Sequence, residues 1–257
     1  MAENMIHLDE NCARLLDEVQ QYCHVYFEEY NNNHCAFQTT NRDASGFATE
    51  GVLYYHKGYL QASICHELLH AKCDCYFGDN RSLLFNDSDD FIKRHIMDFS
   101  LWQSFENQVQ HKIIGSDYIQ LGYKAEDFFE NADFSKASSR QVKQFAANGI
   151  LIKGKQEYDP ISLKTYINVL IHLLFYPFGT PFQSQLRRME MIDKQLFRIH
   201  KDLQISIKDI KVDAQFRDAY IQATHQYRDQ MSVWFEKNPI KFPNPGEISM
   251  LLHMITD

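Results

Sequence analysis

Along residues 7–30, apolar side chains fall at Leu8, Cys12, Leu15, Leu16, Val19, Tyr22, Cys23 and Tyr26, with acidic residues between them. That spacing predicts a first helix over the whole stretch. Residues 31–51 are rich in Asn, Thr, Ser and Gly and show no such period. They lead into GVLYYHKGYL, a short β-rich run with a turn signal at Lys57-Gly58, which reads as a strand over 51–58. Helical spacing returns over 61–77 and again over 89–114, the second opened by the capping-type cluster Asn86-Asp87-Ser88-Asp89. Residues 115–160 read as shorter helices and loops around Gly122, Gly149 and Gly154. Further helices are expected at 163–176, 183–203 and 207–237, with a Pro-broken linker and a last short helix in the tail.

The pattern thus predicts a mainly α (α+β) protein, a helical core with a small β-sheet and a helical C-terminal half. Neither an internal repeat nor a long linker divides it. A first region is placed at 1–160 and a helical C-terminal region at 161–257, the two packed as one unit.

Composition narrows the class. Hydrophobic residues make up 44% and aromatics 14% of the 257 residues, with only 10 Gly and 6 Pro, which excludes collagen-like, low-complexity and disordered chains. The longest apolar stretch, 169–178, is interrupted by His172 and Pro177 and falls short of the roughly 20 residues that span a bilayer. The first residues carry neither a basic n-region nor an apolar h-region, so a cytoplasmic protein without a membrane partner is expected. On that basis Cys12, Cys23, Cys35, Cys65, Cys73 and Cys75 are read as reduced thiols.

The net charge of −8 is uneven: residues 1–150 carry 12 Lys and Arg against 22 Asp and Glu, and residues 151–257 carry 14 against 12. An acidic face of that size repels phosphate backbones and argues against nucleic acid as a partner. The basic excess at 187–211 reads as a solvated helix face.

One motif carries chemistry. Residues 66–70 read His-Glu-Leu-Leu-His inside the predicted helix 61–77. Side chains at i and i+4 stack on one helix face, so His66 and His70 can hold a single Zn²⁺ at about 2.0–2.1 Å per nitrogen. Glu67 then lies beside the ion as a general base for metal-activated water. From composition alone about 0.03 such strings are expected in the chain.

A strand, then an H-E-x-x-H helix, then a second helix bearing a later ligand resembles the zincin superfamily of zinc metallopeptidases. Within it the chain is similar to the compact, largely helical zincin-like proteins of bacteria. The resemblance covers about residues 50–115, and its matching residues are His66, Glu67 and His70. It implies a peptidase-type zinc site with the preceding strand, 51–58, at the edge of the cleft, where an extended substrate can pair with a free strand edge.

A catalytic site of this kind needs a third protein ligand. The metzincin extension would put a glycine three positions and a histidine six positions after His70, where this chain has Cys73 and Tyr76. Cys73 lies on the same helical face as His70, but three ligands along one helix cannot close a tetrahedron, so Cys73 is read as packing. On the helix 89–114, the apolar stripe runs Phe91, Phe99, Trp102, Phe105, Val109 and Ile113. At 100° per residue Glu106 falls about 40° from Trp102 and His111 about 180° away. A carboxylate on a core stripe is costly unless it is paired, which makes Glu106 the first choice for third ligand. His111, in an i, i+4 pair with Asn107, is the alternative, favoured if the helix breaks after Phe105. A purely structural alternative for Glu106 is pairing with a Lys or Arg at the edge of the core.

His95 and Asp98 are candidates to support the ligands from behind. Tyr123 is a candidate donor to a developing oxyanion, Tyr54 and Tyr55 read as strand residues with one facing the core, and His172 as a core histidine. The leading expectation is a zinc-dependent hydrolase of peptide bonds acting on a peptide or protein substrate. A non-catalytic sensor or regulatory protein on the same fold, and a helical interaction protein without metal, stand as alternatives. The oligomeric state is not legible.

Overall fold

Asp9 opens the chain's first helix by accepting the Cys12 N–H at 2.8 Å, a cap worth about 1 kcal/mol. The computed structural model describes residues 6–31, 34–77, 95–129, 134–179 and 181–241. Helix α1 (Glu10–Gln20) is followed by β1 (His24–Glu29), β2 (Ala36–Arg42), β3 (Ala48–Tyr55) and α2 (Gln61–Phe77). Then come α3 (Phe99–Gln120), a short 3₁₀ turn (Ala125–Asp127), α4 (Phe134–Asn148) and α5 (Pro160–Leu174). The chain continues through α6 (Gln183–Ile192), α7 (Lys194–Ile207) and α8 (Phe216–Lys237). Eight α-helices and one three-stranded sheet among the described residues make the protein mainly α (α+β), as the pattern predicts.

The sheet departs from the sequence expectation in two ways. The helix predicted over 7–30 ends at Gln20, and its last third is β1, where Val25 is 3% exposed while its neighbours His24 and Tyr26 face solvent. Such alternation is the strand period, which the wider i, i+3 spacing of the tyrosines and cysteines masked. The polar segment 31–51 holds β2, a half-exposed strand without a continuous apolar face.

The strand order is β1-β3-β2, with β1 parallel and β2 antiparallel to β3. The strand predicted at 51–58 is therefore the central one, β3, and both its edges are covered. β2 turns into β3 at Asp43, which accepts the N–H groups of Ser45 and Phe47, with Gly46 at φ 83° supplying the left-handed residue. At Gly51 a Cβ would stand 2.3 Å from the Phe37 ring, so only glycine lets that ring cross β3.

Helix α2 spans the predicted 61–77. It packs against β2 and β3, α1, α3 and α8, and most of its side chains are buried. Helix α3 begins at Phe99, where Asp98 caps the Leu101 N–H at 3.0 Å, and continues to Gln120. The cluster at 86–89, expected to open this helix, lies outside the described residues, as does the last helix expected in the tail. The helix expected over 183–203 is two, because Asp193 leaves helical geometry (φ −147°, ψ 101°), ends α6 and caps α7 through Leu196 N–H.

One continuous hydrophobic cluster runs from Cys12 to Ile240, so the regions 1–160 and 161–257 share a core. Its centre is α3, clasped between α2, α5 and α7, with Phe105 stacked on Trp102 at 4.8 Å and on Tyr227 of α8 at 5.0 Å. Among the described residues, no helix is long and apolar enough to cross a membrane.

Candidate metal centre

Helices α2 and α3 pack side by side, and where they meet a cavity of about 510 Å³ opens to solvent. On α2 the apolar side chains Ile64, Cys65, Leu68 and Leu69 turn into the core. This leaves His66, Glu67 and His70 on the face towards the cavity. Helix α3 answers with His111, which is only 5% exposed.

The Nε2 atoms of the three histidines converge. His66 Nε2 lies 3.0 Å from that of His70 and 3.1 Å from that of His111, and these three residues form a group able to hold a metal ion. Donors at about 2.0–2.1 Å from a tetrahedral ion stand roughly 3.3 Å apart, so a small inward cluster of this size matches a shared cation. His66 Nδ1 lies 2.7 Å from the carbonyl oxygen of Phe128, which can only accept, so the ring proton sits on Nδ1 and the Nε2 lone pair points at the cluster. The same holds for His70, whose Nδ1 meets Gln110 Oε1 at 2.8 Å. The Phe128 ring also stacks on His66 at 4.2 Å, fixing its plane.

Burial, and then the neighbouring His70, drive the His66 imidazole down to about 3. His111 is held well below its ordinary value by burial first, then by His70 and His66. Both rings are therefore neutral at pH 7, the form in which imidazole ligates a metal. His111 Nδ1 is buried without a hydrogen-bond partner among the described residues.

Glu67 sits one residue after His66 with its Oε2 accepting the Phe37 N–H of β2 at 2.8 Å. The carboxylate is thereby tied to the outer edge of the sheet rather than left to swing. Asp74, one turn beyond His70, accepts from Thr39 Oγ1 at 2.7 Å and pairs with Arg42 at 3.5 Å. Its partners join α2 to β2 along the same wall.

Glu106 lines the cavity, but His111 is the residue brought to His66 and His70. An apolar stripe along one side implies a single buried face on α3. Instead Trp102, Phe105, Val109 and Ile113 on one side and His111, Ile114 and Tyr118 on the other are all buried, because helices pack on both sides of α3.

His95 and Asp98 do not stand behind the ligands either. His95 is exposed, and Asp98 caps α3 and pairs with Lys164 of α5. The supporting acceptors are Phe128 O and Gln110, the first of which is a main-chain atom of a loop and leaves no side-chain signature. Tyr123 does not line the cavity: its hydroxyl donates to the Asp9 carboxylate at 2.6 Å. Cys73 is fully buried packing, Tyr55 faces the core and Tyr54 does not. His172 donates from Nδ1 to the carbonyl of Asn168 at 2.8 Å. The signal that could have found His111 is the i, i+4 pair Asn107/His111, since both residues line the cavity. Compared with family models, with curated proteins and with solved structures, the chain matches none.

Proposed function

We propose that the protein is a zinc-dependent hydrolase of peptide bonds. The observation that supports this best is the convergence of three imidazole nitrogens on one point of an open cavity, with a carboxylate on the residue next to the first of them. Three nitrogen donors with one side open suit Zn²⁺, and His66, His70 and His111 would hold it. A zinc ion bound there lowers the pKa of a coordinated water to about 7 and polarises a carbonyl.

The remaining roles fall to the chain. Glu67 takes a proton from the attacking water and returns it to the leaving amine. Its bond from Phe37 N–H steadies the carboxylate at the cavity wall. Because β3 is covered on both sides, an extended substrate pairs with β2, the edge strand from which that N–H projects. Phe128 and Phe129 give the cavity an aromatic wall opposite.

The test is twofold. Protein purified without added metal is analysed for zinc, and cleavage of an unstructured protein such as casein is compared between wild type and Glu67→Gln. About one zinc per chain, with cleavage lost in Glu67→Gln and metal retained, supports the reading. Equal cleavage by both proteins removes Glu67 as base. Zinc without any cleavage shifts the reading to a non-catalytic metal protein.

A further inference from the structure

Helix α3 carries a run of side-chain amides along the cavity of the metal centre. Gln103, Asn107 and Gln110 line it, and their spacings of four and three residues keep them on one face of the helix. Gln110 is committed to His70 Nδ1 through its Oε1. Gln103 and Asn107 are exposed and meet whatever enters the opening. The same cavity is lined from β2 by Phe37, and β2 is an edge strand of the sheet among the described residues.

Two amides at this spacing match one ligand shape. Residues four apart on a helix are separated by about 6.0 Å along its axis. In an extended chain, main-chain groups that point the same way recur every second residue, about 6.6–6.8 Å. A side-chain amide offers an acceptor oxygen and two donor hydrogens, the complement of a peptide C=O and N–H. Gln103 and Asn107 therefore stand in register with alternate peptide groups of an extended chain, whatever side chains it bears. Their place on α3 also sets how far from the histidines they act. Asn107 precedes His111 by four residues and Gln103 by eight, which is about 6 and 12 Å along the axis, or about two and four residues of extended chain.

We infer that Gln103 and Asn107 are substrate-positioning residues that grip the main chain of an extended peptide laid along α3, about two and four residues from the bond at the histidines. This rests on the reading of the cavity as the place where a peptide is cut, and it adds the substrate class. The chains taken are unfolded ones that run on past the scissile bond for about four residues on the α3 side. They are selected by length and extension rather than by sequence, because the groups held are common to every residue. A peptide that ends short of Asn107 reaches the histidines without the grip.

Binding is measured on the full chain carrying Glu67→Gln, with zinc added, so that bound peptide is not consumed. Fluorescein-labelled unfolded peptides, one of about four residues and two of about twelve with scrambled sequences, are titrated by fluorescence anisotropy. Adding Gln103→Ala and Asn107→Ala together should weaken both long peptides about 10- to 100-fold, at about 3- to 10-fold per amide, and the short one less than about twofold. Gln226→Ala, at an exposed amide of α8 outside the cavity, should change none of the three. Alanine is the better helix former, so the variants should melt no lower than the parent. With Glu67 restored, the double substitution should raise KM for the long peptides and leave kcat nearly unchanged. No binding of the long peptides, undiminished binding by the double variant, or equal weakening of short and long peptides would overturn the inference. So would a difference between the scrambled sequences larger than the effect of length. Long peptides bound through the two amides by a protein that cleaves nothing would remove the hydrolase reading and leave the grip. Cleavage with an unchanged KM in the double variant would do the reverse.

Discussion

His111→Ala is the substitution that most directly tests the metal centre. Structural zinc sites with four protein ligands are worth about 10–16 kcal/mol, so one ligand of such a set accounts for about 3 kcal/mol, or roughly 100- to 1,000-fold in affinity. His111 is one of three converging histidines that could hold an ion, and of the carboxylates lining the cavity Glu67 is engaged by Phe37 N–H and Asp74 by Thr39 and Arg42. Gln110→Ala removes the acceptor for His70 Nδ1 and should cost about 10- to 100-fold, the usual effect of losing a group that orients a metal-bound histidine.

Glu106→Ala alters the cavity wall without removing any of the three converging histidines and should change affinity by less than about tenfold. Affinities are read by titrating metal-free protein with zinc against a chromogenic chelator at neutral pH, with a thermal melt of each metal-free variant to confirm that it is folded. The expected order of loss is His111, then Gln110, then Glu106. A loss in Glu106→Ala equal to that in His111→Ala would refute the geometric assignment and restore the carboxylate as ligand.

Other outcomes follow from the same geometry. Glu67→Gln should keep the affinity for zinc while cleavage falls by about 10²–10⁴-fold, the range of a lost acid–base group, in a peptide-release assay at saturating zinc. Gly51→Ala should destabilise by about 1–3 kcal/mol in urea unfolding, because its Cβ would overlap the Phe37 ring, and should also lower cleavage by shifting the strand that holds Glu67. His200, fully buried between Leu196 O and the Tyr227 hydroxyl, is lowered by burial to about 4. Its unfolded value near 6.5 lies above that, so the unfolded chain binds its proton first, and stability present above pH 6.5 should fall by about 3 kcal/mol as pH drops towards 4. In His200→Leu, urea unfolding across that window should show a shallower decline. Removal of zinc with a chelator should lower the Tm, since a ligand that binds the folded state alone stabilises it.

The sequence made α2 legible to its end residues because the helix and the metal motif reinforce each other there. His66, Glu67 and His70 lie within four residues, so local geometry alone decides their placement. His111 depends on something a period along one helix does not record, namely that α3 is packed on both sides. The same limit explains β1 and β2. Tyr22 and Tyr26 are exposed at 48–51%, so they imitated a buried helical face, and β2 gains its place from pairing with β3 rather than from its own apolar content. Asp193 was visible as a residue but not as a break, since it acts through its backbone angles and a single cap.

The acceptor that orients His66 is the backbone oxygen of residue 128, and every amino acid supplies one. Substitution at that position can change the stacking on the imidazole, yet it leaves the acceptor in place, so drift in the identity of this residue is buffered at the ligand. The length of the segment joining α3 to α4 has no such protection. A single residue gained or lost between Leu121 and Phe128 would carry the oxygen out of reach of Nδ1, free the ring to rotate or change tautomer, and degrade the centre without altering any of the three histidines. Variation in this protein should therefore be tolerated as spelling in that loop and rejected as insertion or deletion.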